Sequence, residues 1–279
     1  MSLKASYLYM SPENRERVEG KMMELQVKEP CMSNVQEAFM NEYWDERSSS
    51  YSDMNMRQFY SSRREAWENA IFSHVREDRS LKVLDIGTGP GFFAILSALR
   101  GHDVTAVDMN GNMLRQASCN ARMAGAQVRF EQVGHRLLFP KESFDLILSR
   151  DVTWTLTDPK TQLRDWFDLL KPGGKMLYFD AEWNYHLKNR ENFEEWKQIK
   201  RSIESEGIVF YPKAGILDEV AVTLPMTHED RPLWDQKFWS REGRSCRIYK
   251  NLNPYIFNRE EQIHYKAHPV FLVEVTRDR

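Results

Sequence analysis

The stretch LDIGTGPGFF, residues 84–93, sets Gly87, Gly89 and Gly91 at alternate positions behind the carboxylate of Asp85, and Asp108 closes the next apolar run 17 residues after Gly91. A glycine-rich turn at the end of a strand lets backbone N–H groups approach a ligand closely. The spacing is not the dinucleotide pattern G-x-G-x-x-G, because the third glycine comes one residue early and Phe92 takes its place. The G-K-[ST] ending of a phosphate-binding loop is also absent. A carboxylate two residues before the first glycine would repel a pyrophosphate seated on the turn and would suit a cation. Asp108 stands where a carboxylate can accept both hydroxyls of a ribose. The chemistry to look for is therefore a ribose-bearing ligand that also carries positive charge.

Such a turn needs a β-α-β unit around it, and the hydrophobic pattern supplies one. KVLDIG reads as a short strand, FFAILSALRG as a helix closed by Gly101, and DVTAVD as a second strand. NMLRQASCNARMAGA follows as a helix, VRFEQV and FDLILS as strands, PKTQLRDWFDLL as a helix and KMLYFDA as a strand. KPGG between the last two reads as a tight turn. Strands alternating with helices of about 10 to 15 residues imply a doubly wound, mostly parallel α/β sheet covered on both faces. Past Asp180 the pattern loosens into a charged helix over NRENFEEWKQIKRSIESEG, read as a solvated face, then a Pro-containing stretch and a helix around LWDQKFWSREG. CRIYK and VFLVEVT read as late strands that close the sheet.

Upstream of the turn, Val18, Met22 and Leu25, and then Val35, Phe39 and Tyr43, mark two amphipathic helices. RSSSYSD reads as a polar break, and Phe59, Trp67, Ile71 and Val75 as the stripe of a third helix. This divides the chain into a helical extension or lid over residues 1–60 and a main domain over 61–279, with 181–245 as an insertion on the substrate side.

At 279 residues, with 41% hydrophobic and 29% charged, the composition is that of a soluble globular chain. Its 39 Lys+Arg nearly balance 41 Asp+Glu, so no charge excess recruits a nucleic-acid backbone or an anionic membrane. No apolar stretch approaches the roughly 18 to 20 residues that span a bilayer, and the N-terminus lacks a signal-peptide core, so the cytoplasm is the expected location. Cys31, Cys119 and Cys246 are far apart with no C-x-x-C pair, which suits a reducing compartment and packing roles. No metal site is expected: His264 and His268 are four apart, but Pro269 follows at once and no third ligand stands near.

Asp85 followed by G-x-G-x-G, together with Asp108, FDLILS and LLKPGGKMLY in that order, resembles the class I S-adenosylmethionine-dependent methyltransferases over about residues 40–180. The resemblance implies a seven-stranded Rossmann-like sheet and S-adenosylmethionine as cofactor, with S-adenosylhomocysteine as product. It places Asp85, Gly87, Thr88, Gly89 and Gly91 on the methionine side, Asp108 on the ribose, and Met109, Met113, Gly134 and His135 around the adenine. His135, in VGHRLLF, stands where many members carry an acid that accepts the adenine amino group, and a neutral imidazole can take that role where an imidazolium cannot. NEYWDERSSSYSD resembles the family's W-D-x-R-x-x-x-Y segment, so Tyr43, Trp44 and Tyr51 form an aromatic lid in that reading, with Tyr51 and Arg150 counted among the cofactor contacts.

SRDVTWTLTDP, after the fourth strand, is similar to the acceptor-side loop of bacterial small-molecule members and makes Asp151 and Trp154 candidates beside the methyl group. The catalytic residue is otherwise open. PMTHEDRPLWDQ adds His228 and Arg231, with Trp234 and Asp235, as a mixed aromatic and charged stretch of the kind that lines a polar pocket. The [DN]-P-P-[YFW] motif of nucleobase-amine methyltransferases is missing from this loop, so nucleic acid is not the expected partner. The implied function is methyl transfer to O, N or S of a small-molecule acceptor. A macromolecular (RNA or protein) methyltransferase and a non-catalytic S-adenosylmethionine-binding protein share the first motif and stand as alternatives. The oligomeric state is open, with a homodimer as one option.

Overall fold

A computed structural model describes residues 32–76, 78–208, 210–211 and 214–278, so the expected helix over Val18, Met22 and Leu25 lies outside the described residues, as does Cys31. The sheet has seven strands: β1 (Lys82–Ile86), β2 (Asp103–Asp108), β3 (Arg129–Gln132), β4 (Phe144–Arg150), β5 (Leu170–Asp180), β6 (Ser245–Tyr249) and β7 (Phe271–Thr276). Their order is β3-β2-β1-β4-β5-β7-β6. The first five are parallel, and β7 runs antiparallel to both β5 and β6. This is the expected seven-stranded, mostly parallel Rossmann-like sheet. Chain direction across the sheet reverses between β1 and β4, and the crevice outside the carboxyl ends of these strands is where an open α/β sheet binds its ligand.

The central strands are apolar runs because both faces are covered. One face buries Trp67, Phe92, Phe93 and Phe179 together, and the other buries Leu163, Trp166, Phe167 and Trp239. The helices are α1 (Met32–Phe59), α2 (Arg63–Phe72), α3 (Phe92–Leu99), α4 (Gly111–Ala124), α5 (Pro159–Asp168), α6 (Arg190–Ser205), α7 (Ala214–Ala221) and α8 (Leu233–Arg241), with two short ones between β6 and β7. Asn110 starts α4 by accepting the Met113 N–H at 2.9 Å, and Gly125 ends it in the left-handed region at φ 72°. No helix among the described residues is long and apolar enough to cross a membrane.

Several local expectations are corrected. RSSSYSD does not break the helix: α1 runs through it, because Ser48 and Ser50 donate to the carbonyls three residues back, at 2.9 and 3.1 Å, and Asn55 donates to Tyr51 O at 2.8 Å. The stripe from Phe59 to Val75 is not one helix; Phe59 ends α1, a turn intervenes, and Trp67 and Ile71 belong to α2. KPGG is a bulge inside β5 rather than a turn before it, with the register jumping from Phe144↔Leu170 to Leu146↔Lys175. Cys119 is exposed on α4 rather than buried in the core, whereas Cys246 is half-buried.

Candidate active site

A cavity of about 170 Å³ lies at the carboxyl ends of β1, β2 and β4, and Gly87, Gly89, Asp108, Arg150 and Asp151 all line it. Gly87 and Gly89 take φ values of +66° and +53°, in the left-handed region. A Cβ on Gly87 would stand 2.3 Å from Cγ2 of Val152, so the turn closes only with glycine there. Asp108 receives the Gly89 N–H on Oδ2 at 2.8 Å and the Asn110 N–H on Oδ1 at 2.9 Å. Each carboxylate oxygen has a second lone pair, so Asp108 can still accept from a ligand in the cavity it lines. Burial raises its pKa above the usual carboxylate range, against the pull of those backbone donors.

Nine expected cofactor contacts meet at this cavity: Tyr51, Gly87, Gly89, Asp108, Met109, Met113, Gly134, His135 and Arg150. The other three build the turn instead. Asp85 is buried, and its Oδ2 accepts both the Thr88 hydroxyl at 2.6 Å and the Ala94 N–H at 3.0 Å, so it caps α3 and lies behind the cavity wall. Burial pushes its carboxyl up to about 6. Thr88 is held by that bond and by its N–H to Val107 O at 2.9 Å. Gly91, at φ +92°, admits the close approach of Ala117, 3.1 Å from where a Cβ would stand.

A second, larger cavity of about 660 Å³ adjoins the first. Trp44, Tyr51, Arg150 and Asp151 line both and form the partition between them. Tyr51 packs against Trp44 with centroids 5.3 Å apart. Arg150 is held by a hydrogen bond to Asn55 Oδ1 and by the rings of Phe92, Trp67 and Phe93, at 4.8, 5.2 and 5.3 Å. Asp151 is a non-glycine residue at φ +59°, with its N–H bonded to Phe179 O at 2.9 Å. Loss of water around its carboxyl pushes the pKa up to about 7, against the Arg150 guanidinium and with the charge of Asp180.

Trp154 lines the larger cavity, its Nε1–H donating to Asp151 O at 2.9 Å. The other two catalytic candidates are displaced from both cavities. His228 is exposed, with Nε2 2.8 Å from Val222 O. Arg231 is buried, bonded to Asp235 and Asp180 at 2.7 and 3.0 Å, and Trp234 stacks on Phe238. Arg231 and Asp235 thus form an internal ion network with Asp180 of β5, whereas His228 and Asp230 stay exposed. Nor is α6 wholly a solvated face, since Trp196 and Lys200 reach the larger cavity.

Sequence reasoning did not find the far wall of that cavity. Trp183, His186, His264 and His268 line it from segments with no motif, although the aromatic run EWNYH is a composition signal. His268 is neutral, its pKa pulled down to about 4 by burial, so its Nδ1–H donates to Glu182 O at 3.2 Å and Nε2 remains an acceptor.

Residues 84–178 match the model of a methyltransferase domain family, and they hold the glycine turn, Asp108 and the partition residues Arg150 and Asp151. This segment is similar to a methyltransferase domain, and it lies in a sheet of order β3-β2-β1-β4-β5-β7-β6. Over 99 residues the chain is 32% identical to the ubiquinone biosynthesis O-methyltransferase of Pseudomonas putida, an alignment covering 35% of this chain and 43% of that protein. The chain thus spans less than half the length of the first curated relatives it matches. Phosphoethanolamine N-methyltransferase 2 of Haemonchus contortus, solved with S-adenosylhomocysteine, superposes with a TM-score of 0.55 at 18% identity over 76% of this chain and 52% of that one. A SAM-dependent methyltransferase of Aquifex aeolicus superposes with 0.52 at 15% identity over 81% and 97%. At these identities the two structures speak for the methyltransferase fold.

Proposed function

We propose that the protein transfers a methyl group from S-adenosylmethionine to O, N or S of a small-molecule acceptor, with the cofactor in the smaller cavity and the acceptor in the larger. The observation that carries this is the shared partition: a ribose-type carboxylate and a glycine turn on one side, a chamber of small-molecule size on the other, and Asp151 open to both. The residues present fit the cofactor. Asp108 offers acceptor capacity for the ribose, Gly87 and Gly89 line the cavity with backbone that carries no side chain, and Met113, Val133 and Leu137 supply an apolar slot for a base. When bound, S-adenosylmethionine would supply an electrophilic methyl group, the S–CH₃ electron pair returning to sulfur as the acceptor's lone pair makes the new bond.

The chain's own work is alignment, exclusion of water and proton removal. Trp44, Tyr51 and the rings holding Arg150 keep the partition dry, and Asp151 takes the proton of a hydroxyl or ammonium acceptor. Helix α1 then acts as part of a lid, and the segment 181–245 supplies much of the acceptor side. The reading assumes a cytoplasmic enzyme, in keeping with widely spaced cysteines, and a small molecule rather than nucleic acid as partner.

Labelled cofactor incubated with the protein and a small-molecule extract tests the proposal: new species heavier by one methyl are expected, and label appearing only in RNA or protein overturns it. Asp108→Ala should weaken S-adenosylhomocysteine at least about tenfold in calorimetry, since charge-assisted bonds to a ribose are lost. Unchanged affinity would remove Asp108 from the ribose.

A further inference from the structure

The larger cavity has a chemical character that the transfer reaction does not require. Its walls are mostly rings. On one side Tyr43 contacts Trp44 and Tyr211, at 5.1 and 6.2 Å between centroids. On the other, Trp183 contacts Tyr265 and His268, at 5.9 and 5.4 Å. Flat walls of this kind favour a flat, polarisable ligand.

Two cations face the same space without neutralising partners. Arg47 Nη1 donates to Ser50 Oγ at 2.7 Å, and its guanidinium lies over Tyr211 at 4.1 Å. Lys200 Nζ lies over Trp196 at 5.0 Å and Phe210 at 5.4 Å. Among the described residues neither meets a carboxylate. Of the cavity's own carboxylates, Asp218 Oδ1 is 3.3 Å from His186 Nε2 and Asp151 Oδ2 is 3.8 Å from Arg150 Nε, so each faces a partner other than Arg47 or Lys200. A further sign sits beside Lys200. His186 is 5% exposed and stacks on the same Trp196 at 4.6 Å, and its buried Nδ1 has no hydrogen-bond partner among the described residues. A buried polar atom in a cavity wall is normally hydrogen-bonded, to water or to a ligand group, so Nδ1 is open to a polar group that enters the cavity.

We propose that the methyl acceptor is an aromatic carboxylate bearing a hydroxyl or amino group. Its ring stacks among the indoles and phenols, its carboxylate is drawn to Lys200 and Arg47 with His186 alongside, and its hydroxyl or amino group reaches Asp151. The anion end and the reacting end are thus held by different elements, α6 and α1 at one side and the loop after β4 at the other. Acceptors lacking the anion should bind poorly, and cationic ones should be repelled.

This inference rests on the methyltransferase reading and is tested apart from it. With S-adenosylhomocysteine saturating, quenching of tryptophan fluorescence is titrated with a hydroxynaphthoate and with the matching naphthol, which lacks the carboxylate. The naphthoate should bind at least about tenfold more tightly in the parent. Lys200→Glu should erase that preference and Arg47→Gln should reduce it, both leaving S-adenosylhomocysteine affinity unchanged. Equal binding of the two probes, no binding of either, or a preference that survives Lys200→Glu overturns the inference. Failure of S-adenosylhomocysteine itself to bind overturns the methyltransferase reading instead.

Discussion

Asp151→Asn should lower kcat about a hundredfold to ten-thousandfold, the range supplied by a positioned general base, while leaving S-adenosylhomocysteine affinity within about twofold. Asparagine is the informative replacement because the position sits at φ +59°, which Asn tolerates and most side chains do not, so the loop keeps its course. The carboxyl titrates up at about 7, with burial as the main cause and with Arg150 and Asp180 as the charged groups acting on it. Only the ionised form can take a proton, so the parent's kcat should rise through about pH 7 and level off above it. The variant should show a low and flat profile. Stability runs the other way: a carboxyl whose folded pKa is raised favours the fold while protonated, and that contribution is lost as pH climbs through about 7. The variant should therefore lose less stability than the parent between acid and neutral pH. An Asp151→Asn enzyme that keeps the parent's pH profile would take the proton-accepting role away from this residue.

The parts of this site legible in the sequence are those in which local chemistry has one solution. Gly87 cannot carry a Cβ against Val152, and Asn110 caps α4, so the turn and the helix behind it are written in short runs of residues. The parallel strands are continuous apolar runs because helices cover both faces, and such runs are visible without any partner. The larger cavity is different. Its walls come from α1, the loop after β4, α6 and the segment before β7, fastened by contacts such as Gln58 to Glu261 at 2.9 Å, 203 residues apart. No period within a window carries that information. The polar run in α1 misleads for a related reason: serines signal a break, but inside a helix the carbonyls three residues back can absorb their hydroxyls. Asp85 shows the limit of reading a charge by its type, because a carboxylate that suits a cation also suits the N–H groups at a helix start, and Asp85 accepts the Ala94 N–H at 3.0 Å.

Arg231→Met should destabilise the protein by about 3 to 5 kcal/mol in chemical denaturation, the cost of removing one partner from a buried ion network. The side chain is 1% exposed and faces two carboxylates that are fully buried, Asp180 and Asp235. Its Nε and Nη2 make a two-pronged contact with Asp235 at 2.9 and 2.7 Å, and Nη1 bonds Asp180 at 3.0 Å. Methionine fills much of the volume but leaves both acids without a counter-charge. Protonation neutralises an orphaned carboxylate, so the deficit should shrink towards acid pH and widen towards neutral. The consequence reaches the reaction, although Arg231 touches neither cavity. Asp180 also receives the Trp154 N–H at 3.0 Å and the Trp183 Nε1–H at 2.8 Å, and both indoles line the larger cavity. Arg231 is therefore a positioning residue, and its loss should raise KM for the acceptor more than it changes S-adenosylhomocysteine affinity. A deficit below about 1 kcal/mol, or one that does not vary with pH, would mean that Asp180 and Asp235 find other partners when the guanidinium is gone.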